Sequence, residues 1–134
     1  MRTFLKYNRN ALLWAFLILA LCTMPVSGIT SIKLLDLLSF DKLAHMLLFA
    51  MQFWFIAIGQ LKQHVFSYKR KRAATLAFII TIAYGGSIEL IQGFLLSGRT
   101  MDILDMVANI IGATIGLFFF LAFKKKYKNE AQGK

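Results

Sequence analysis

The sequence predicts an all-α polytopic membrane protein, a bundle of four transmembrane helices in a single domain over residues 1–134. Two observations predict this fold class. The residues are 58% hydrophobic, and the mean hydropathy of +0.63 is far above that of a typical soluble domain. The apolar residues also lie in long segments, and a hydrocarbon core of about 30 Å requires roughly 20 apolar helical residues. Backbone polar groups in lipid must bond within their own segment, so each segment is predicted to be a helix.

The predicted transmembrane helices run from about Ala11 to Val26, Leu43 to Leu61, Ala73 to Leu96 and Ile103 to Phe123. The first follows the basic stretch "MRTFLKYNR" and therefore also resembles a signal peptide. Its single cysteine, Cys22, is preceded by a bulky leucine where a lipobox requires a small residue, so we interpret it as an uncleaved span. The 27–42 loop contains "SIKLLDLLSF", which favours a short helix lying on the membrane surface.

The basic residues predict the orientation in the membrane. The formal net charge is +10, but these residues lie beside the apolar segments rather than along one helix face, so we predict no nucleic-acid partner. Three groups flank the segments, at 2–9, 62–72 and 124–134, and only Lys33, Lys42 and Arg99 lie elsewhere. Positive-inside sorting therefore predicts that both termini are cytoplasmic and that the 27–42 and 97–102 loops lie outside.

Polar residues interrupt this apolar sequence at one end of the predicted helices, the outer end. One set of polar residues lies at the start of the second helix, a further set lies near the end of the third helix, and the last set lies at the start of the fourth helix. These residues are Asp41, Lys42, His45, Glu89, Gln92, Arg99, Asp102, Asp105 and Asn109. At 1.5 Å of rise per residue, Glu89 and Asn109 each lie about 10 Å from the 97–102 loop, so these side chains can share one depth.

The spacing of these residues places them on single helix faces. Asp41 and His45 are four residues apart, and Glu89 and Gln92 are three apart. Steps of three and four also relate the polar and small residues of the fourth helix, which are Asp102, Asp105, Asn109, Gly112 and Gly116. The glycines predict a seam for close helix contact, and Gly85 precedes Glu89 on its face in the same way.

The polar residues have both a functional and a structural interpretation. Helix capping would account for Asp41 and Asp102 individually, but Glu89 and Asn109 lie too deep within their helices to act as caps. Four carboxylates exceed the two cations, so a pocket here would hold a proton, a cation or a polar head group. For acid/base chemistry the candidates are His45, Glu89 and Asp105. Asp41 and His45 supply only two potential metal ligands, so we predict no metal and no other cofactor. A structural polar network remains the alternative.

The same residues resemble a known family. "DKLAH" at 41–45, "IELIQ" at 88–92 and "GRTMDILDMVANIIGATIG" at 98–116 are similar, in this order, to the VanZ-like family of small membrane proteins, named for a teicoplanin-resistance protein. The resemblance covers about residues 40–120. It assigns the family's polar and glycine positions to Asp41, Lys42, His45, Glu89, Gln92, Arg99, Asp105, Asn109, Gly112 and Gly116. The proline common before the family's arginine is replaced here by Leu96-Ser97-Gly98.

The resemblance implies a bacterial inner-membrane protein, sometimes linked to glycopeptide tolerance and so to antibiotic resistance, with no agreed substrate or reaction. Together with the polar pocket, it predicts binding of, or action on, a cell-envelope component such as a lipid-linked or cell-wall ligand, with membrane lipid as the other partner. One alternative is a non-catalytic scaffold in which the polar residues only hold the bundle together. Another is an ion or proton pathway, which is disfavoured because no acidic residue continues toward the cytoplasm. The oligomeric state is left open.

Overall fold

The computed structural model describes residues 2–23, 34–63, 72–95 and 101–130, and almost all of these residues are helical, with no strand among them. They form α1 (Arg2–Thr23), α2 (Leu34–Gln63), α3 (Ala73–Leu95) and α4 (Ile103–Glu130). The predicted all-α fold class is therefore confirmed.

Three of these helices contain segments long and apolar enough to cross a membrane. The segments are Phe40–Gln63, Ala73–Phe94 and Ile103–Phe123, with hydropathies of 1.5, 1.7 and 2.2. Each rises by roughly 31–36 Å, which suffices for the hydrocarbon core. The protein is thus a multi-pass membrane protein, and these segments correspond to the second, third and fourth predicted spans.

The first helix begins at Arg2, well before the predicted start at Ala11. The stretch before Ala11 contains no proline or glycine, so nothing in it stops the helix. The apolar part from Ala11 to Thr23 rises only about 20 Å, less than a hydrocarbon core. Among the described residues, α1 is therefore not one of the segments long and apolar enough to cross, and the first transmembrane span stays a prediction.

The second helix begins at Leu34, so the separate surface helix predicted for "SIKLLDLLSF" is wrong where the structure describes it. Residues 34–40 continue directly into the membrane segment because leucine favours helix and neither glycine nor proline interrupts the chain. Residues 27–33 of the predicted loop lie outside the described residues.

Helix α2 is at the centre of the bundle. Within the described residues it contacts α1, α3 and α4, while α3 also contacts α1 and α4. The contact between α2 and α4 is close because glycines face the α2 backbone. A Cβ atom on Gly112 would overlap the Met46 carbonyl, and one on Gly116 would lie 2.7 Å from the Ala50 carbonyl oxygen. This crossing brings the start of α4 beside the start of the α2 membrane segment.

Large apolar side chains are distributed as expected for a bundle in lipid. Phe53 and Phe120 are fully buried between helices, with ring centroids 6.1 Å apart. Others point outward, and Phe94, Phe16 and Phe118 are 82%, 71% and 70% exposed. So much exposed apolar surface would favour aggregation in water, whereas lipid tails cover it without cost.

Candidate functional site

Three helices bring polar side chains together at one end of the bundle. We call this group the polar cluster, defined by Asp41, Lys42 and His45 of α2, Glu89 of α3, Asp102 just before α4, and Asp105 and Asn109 of α4. The close α2–α4 crossing and the small Gly85 of α3 position it. A Cβ atom on Gly85 would lie 3.2 Å from Asn109 Nδ2, so the absence of a side chain there leaves room for the asparagine.

Lys42 connects α2 to the start of α4 through two carboxylates. Its Nζ lies 2.9 Å from Asp105 Oδ1 and 3.2 Å from Asp102 Oδ2. Asp102 also caps α4, because its Oδ1 accepts a hydrogen bond from the Leu104 backbone N–H at 2.8 Å. That hydrogen bond and the neighbouring Lys42 ammonium lower the pKa of Asp102 below its ordinary value. The start of α4 is thus held to α2 by charge-assisted contacts.

His45 is oriented by Asn109. The His45 Nδ1 atom lies 2.9 Å from Asn109 Oδ1, and both residues are buried. In the tautomer whose Nδ1–H donates to this oxygen, the lone pair of Nε2 is left to accept a proton or bind a ligand. Nε2 lies 3.9 Å from Asp41 Oδ1, at the exposed side of the cluster. The histidine therefore has the arrangement of a positioned base or ligand.

Glu89 is the least satisfied group of the cluster. Its side chain is 0% exposed, and neither carboxylate oxygen has a hydrogen-bond partner among the described residues. The Asp102 backbone N–H acts on the carboxylate without meeting the geometric criterion for a hydrogen bond, and Asp105, His45 and Asp102 are the ionisable side chains that act on it electrostatically. Asn109 Nδ2 also has no partner in this part of the chain. Buried polar groups are normally hydrogen-bonded, so these atoms indicate a place for a proton or a polar ligand.

The cluster also brings together three potential metal ligands. One ligand atom each from Asp41, His45 and Asp105 lie within 4.8 Å of one another. Carboxylate and imidazole groups suit divalent cations, and an acceptor oxygen on the other imidazole nitrogen, here Asn109 Oδ1, orients a ligating histidine. However, Lys42 already binds one oxygen of Asp105 and competes with a cation there. The sequence identified only Asp41 and His45 as potential ligands because Asp105 comes from a different helix.

Two further residues of the predicted site are not part of the polar cluster as the structure describes it. Gln92 is buried, but its Nε2 donates to the Cys22 carbonyl of α1 at 2.9 Å, so it connects α3 to α1 outside the polar cluster. Arg99 lies outside the described residues.

Sequence reasoning missed several polar contacts that hold α1 in the bundle. The Trp14 indole N–H donates to the Leu48 carbonyl at 2.9 Å, and the Tyr84 hydroxyl donates to the Ala15 carbonyl at 2.6 Å. Buried tryptophan and tyrosine usually find such partners, which is the only signal that the sequence offers for them. Gln52 is also buried, with no described partner for its Oε1, and its place within "FAMQFWF" could have marked it.

The arrangement is suited to acid/base chemistry or to the binding of a polar group. A buried carboxyl, an oriented imidazole and an ammonium group lie at one end of the bundle, and they can exchange protons with a ligand or donate hydrogen bonds to it. The polar cluster as described contains no serine or cysteine, so it offers no hydroxyl or thiol nucleophile for acyl transfer.

Comparison with protein-family models identifies one family. A family model described as VanZ/LLP1 matches residues 4–124, a range that includes α1 and so extends beyond residues 40–120. The chain is also similar to the uncharacterized protein C11E3.10 of Schizosaccharomyces pombe (strain 972 / ATCC 24843), with 31% identity over 87 residues, which are 64% of this chain and 49% of that protein. The chain therefore spans about half the length of this curated relative. No solved structure matches it.

Proposed function

Because the chain belongs to the VanZ/LLP1 family, we propose that its polar cluster is an outward-facing pocket that binds or acts on a component of the bacterial cell envelope. One observation carries this proposal: Glu89 is fully buried, and both of its carboxylate oxygens lack a partner in the described chain. An ionised carboxylate in that position is costly, so a structural role alone gives no reason to retain it.

The charge of the polar cluster supports a ligand with hydrogen-bond donors or positive charge. Four carboxylates face one ammonium group, Lys42, and two of those carboxylates already contact it. In the described part of the chain, no ammonium or guanidinium group contacts Glu89 or Asp41 in the way that Lys42 contacts Asp102 and Asp105. A hydroxyl-rich or amine-bearing head group, or a proton taken from it, would supply what these groups lack.

The proposed orientation rests on the basic residues that flank the membrane segments. Their distribution supports an orientation with both termini in the cytoplasm and the polar cluster at the outer face. The family resemblance implies that the membrane is a bacterial inner membrane. A pocket at that face would be open to lipid-linked or cell-wall components. The family resemblance extends the proposal to glycopeptide tolerance, including tolerance of teicoplanin.

The alternative is a membrane scaffold in which the same residues only hold the helices together. The observation that favours it is that Lys42 and His45 both contact α4 directly, at 2.9 Å from Asp105 and Asn109 respectively. The scaffold interpretation accounts for these contacts, but it does not account for the unpartnered Glu89.

The two proposals are separated by the substitution Glu89→Gln, which keeps the shape of the side chain and removes its charge. If the pocket proposal is right, glycopeptide tolerance conferred by the protein should fall to the level of cells without it. Expression and the melting temperature in detergent should stay near wild type. Glu130→Gln is the matched control, because it makes the same chemical change at the far end of α4, and it should keep full tolerance.

Full tolerance in Glu89→Gln cells would contradict the pocket proposal and favour the scaffold. Mass spectrometry of the lipids and metals retained by the purified wild-type and Glu89→Gln proteins provides an independent test. A retained molecule present only in the wild-type sample would identify the ligand class.

A further inference from the structure

The opposite end of the bundle contains a second site, a cavity between α1 and α2. Its volume is about 340 Å³, and its lining includes Lys6, Arg9 and Lys62. Lys62 follows Lys42 along α2 by about 30 Å, the thickness of a hydrocarbon core. The cavity therefore lies near the membrane surface opposite to the polar cluster. We call it the basic cavity.

The basic cavity has strong positive charge without internal compensation. None of its described lining residues is acidic. No ion pair in the described part of the chain involves Lys6, Arg9 or Lys62, and all three side chains are exposed. These cations are thus available to an external anion.

The α2 side of the basic cavity carries apolar and aromatic side chains. Trp54, Phe55 and Ile58 of α2 line it and are half-buried. The Lys6 ammonium also lies 5.5 Å from the centroid of the Tyr7 ring, a distance at which a cation is attracted to an aromatic face. Cations above an aromatic wall match a molecule with an anionic head and an apolar body.

The shape of the basic cavity follows from a closely packed helix crossing. A Cβ atom on Gly59 would lie 2.6 Å from Asn8 Oδ1 and 2.9 Å from the Tyr7 carbonyl oxygen. Asn8 is buried, and its Nδ2 donates to Gln63 Oε1 at 2.8 Å. These contacts fix α1 against α2 directly beneath the cations.

We propose that the basic cavity binds the phosphate head group of an anionic membrane lipid, with the acyl chains lying along Trp54 and Phe55. Topological sorting explains the sign of the charges, but it requires neither an aromatic wall nor a packed crossing beneath them. Free phosphate offers the same charge but would leave the apolar wall uncovered. The proposal concerns the end of the bundle away from the polar cluster and does not depend on the function proposed for that cluster.

The test is a titration of the full-length protein in detergent micelles with phosphatidylglycerol, with phosphatidylcholine and with inorganic phosphate, followed by native mass spectrometry. We expect saturable retention of phosphatidylglycerol over phosphatidylcholine, weakening as salt is raised. Lys6→Gln, Arg9→Gln and Lys62→Gln combined should weaken this retention at least about tenfold, because each basic residue near a membrane surface adds to anionic-lipid affinity. Lys134→Gln removes one positive charge from the C-terminal tail and should leave retention unchanged.

Trp54 provides a second measurement that locates the lipid. Trp14 and Trp54 are the two tryptophans of the chain, so the Trp14→Phe variant reports only on the basic cavity. Its fluorescence should change with phosphatidylglycerol over the same concentration range as retention. Equal retention by the combined variant and the wild type would overturn the proposal. A response to inorganic phosphate equal to the response to phosphatidylglycerol would overturn the assignment to lipid.

Discussion

At the scale of single residues, Lys42 has the largest electrostatic role in the polar cluster. Its ammonium lies between Asp102 and Asp105, and the Asp105 side chain is only 10% exposed. A carboxylate so poorly hydrated depends on its cation, because removal of one partner from a buried pair leaves the other charge uncompensated. The two side chains come from different helices, so their contact stabilises the tertiary fold rather than either helix alone.

The substitution Lys42→Met keeps the unbranched shape and most of the length of the side chain and removes its charge. We expect the free energy of unfolding in mild detergent to fall by about 1–3 kcal/mol, since Asp105 loses its partner. Lys62→Met is the matched control because no ion pair among the described residues involves Lys62, and it should change stability by less than about 0.5 kcal/mol. Equal melting curves for the two variants would mean that the ion pairs of Lys42 contribute nothing measurable.

At the scale of helices, the α2–α4 crossing determines whether the polar cluster assembles at all. Gly112 and Gly116 lie against the carbonyls of Met46 and Ala50, which directly follow His45 and Phe49 in the chain. Any increase in the separation of these helices would lengthen the contacts of Lys42 and His45 with α4. Gly86 of α3 is far less constrained, since a Cβ atom there would meet only Met106 Cε at 3.9 Å.

The pair Gly112→Ala and Gly86→Ala tests this seam with one chemical change at two helical positions. Helix propensity alone favours alanine by about 0.5–1 kcal/mol at either site. We expect Gly86→Ala to leave the melting temperature unchanged or raise it, and Gly112→Ala to lower it, because the new methyl group overlaps the Met46 backbone. A rise in both variants would show that α2 and α4 separate without cost.

At the scale of the whole molecule, charge is divided between the two ends of the bundle. Carboxylates dominate the polar cluster, whereas the charged residues among the described lining of the basic cavity are all cations. In a membrane this division favours one orientation, with the basic end in the cytoplasm. Asp41 and its neighbours would then face the outside.

That orientation predicts the result of a topology assay. A reporter fused after Lys134 should be active in the cytoplasm, and a cysteine replacing Ser97 should react with an impermeant maleimide added to intact cells. The Cys22→Ala background removes the native thiol, and this background without the new cysteine is the control. A periplasmic C-terminus would reverse the orientation and place the polar cluster at the inner face, in conflict with the envelope proposal.

The sequence by itself determined the helical fold class, the three apolar membrane segments and the faces on which the polar residues lie. Each of these depends on local information, namely hydropathy over about 20 residues and a repeat of 3.6. Only the tertiary structure decided which side chains contact one another across helices. Lys42 contacts Asp102 and Asp105, and Gln92 donates to the Cys22 carbonyl. At the other end of the bundle, the contact between Asn8 and Gln63 joins α1 to α2 near the basic cavity. Helical periodicity assigns a side chain to a face, but the residue opposite depends on the crossing angle and register of helices far apart in the chain.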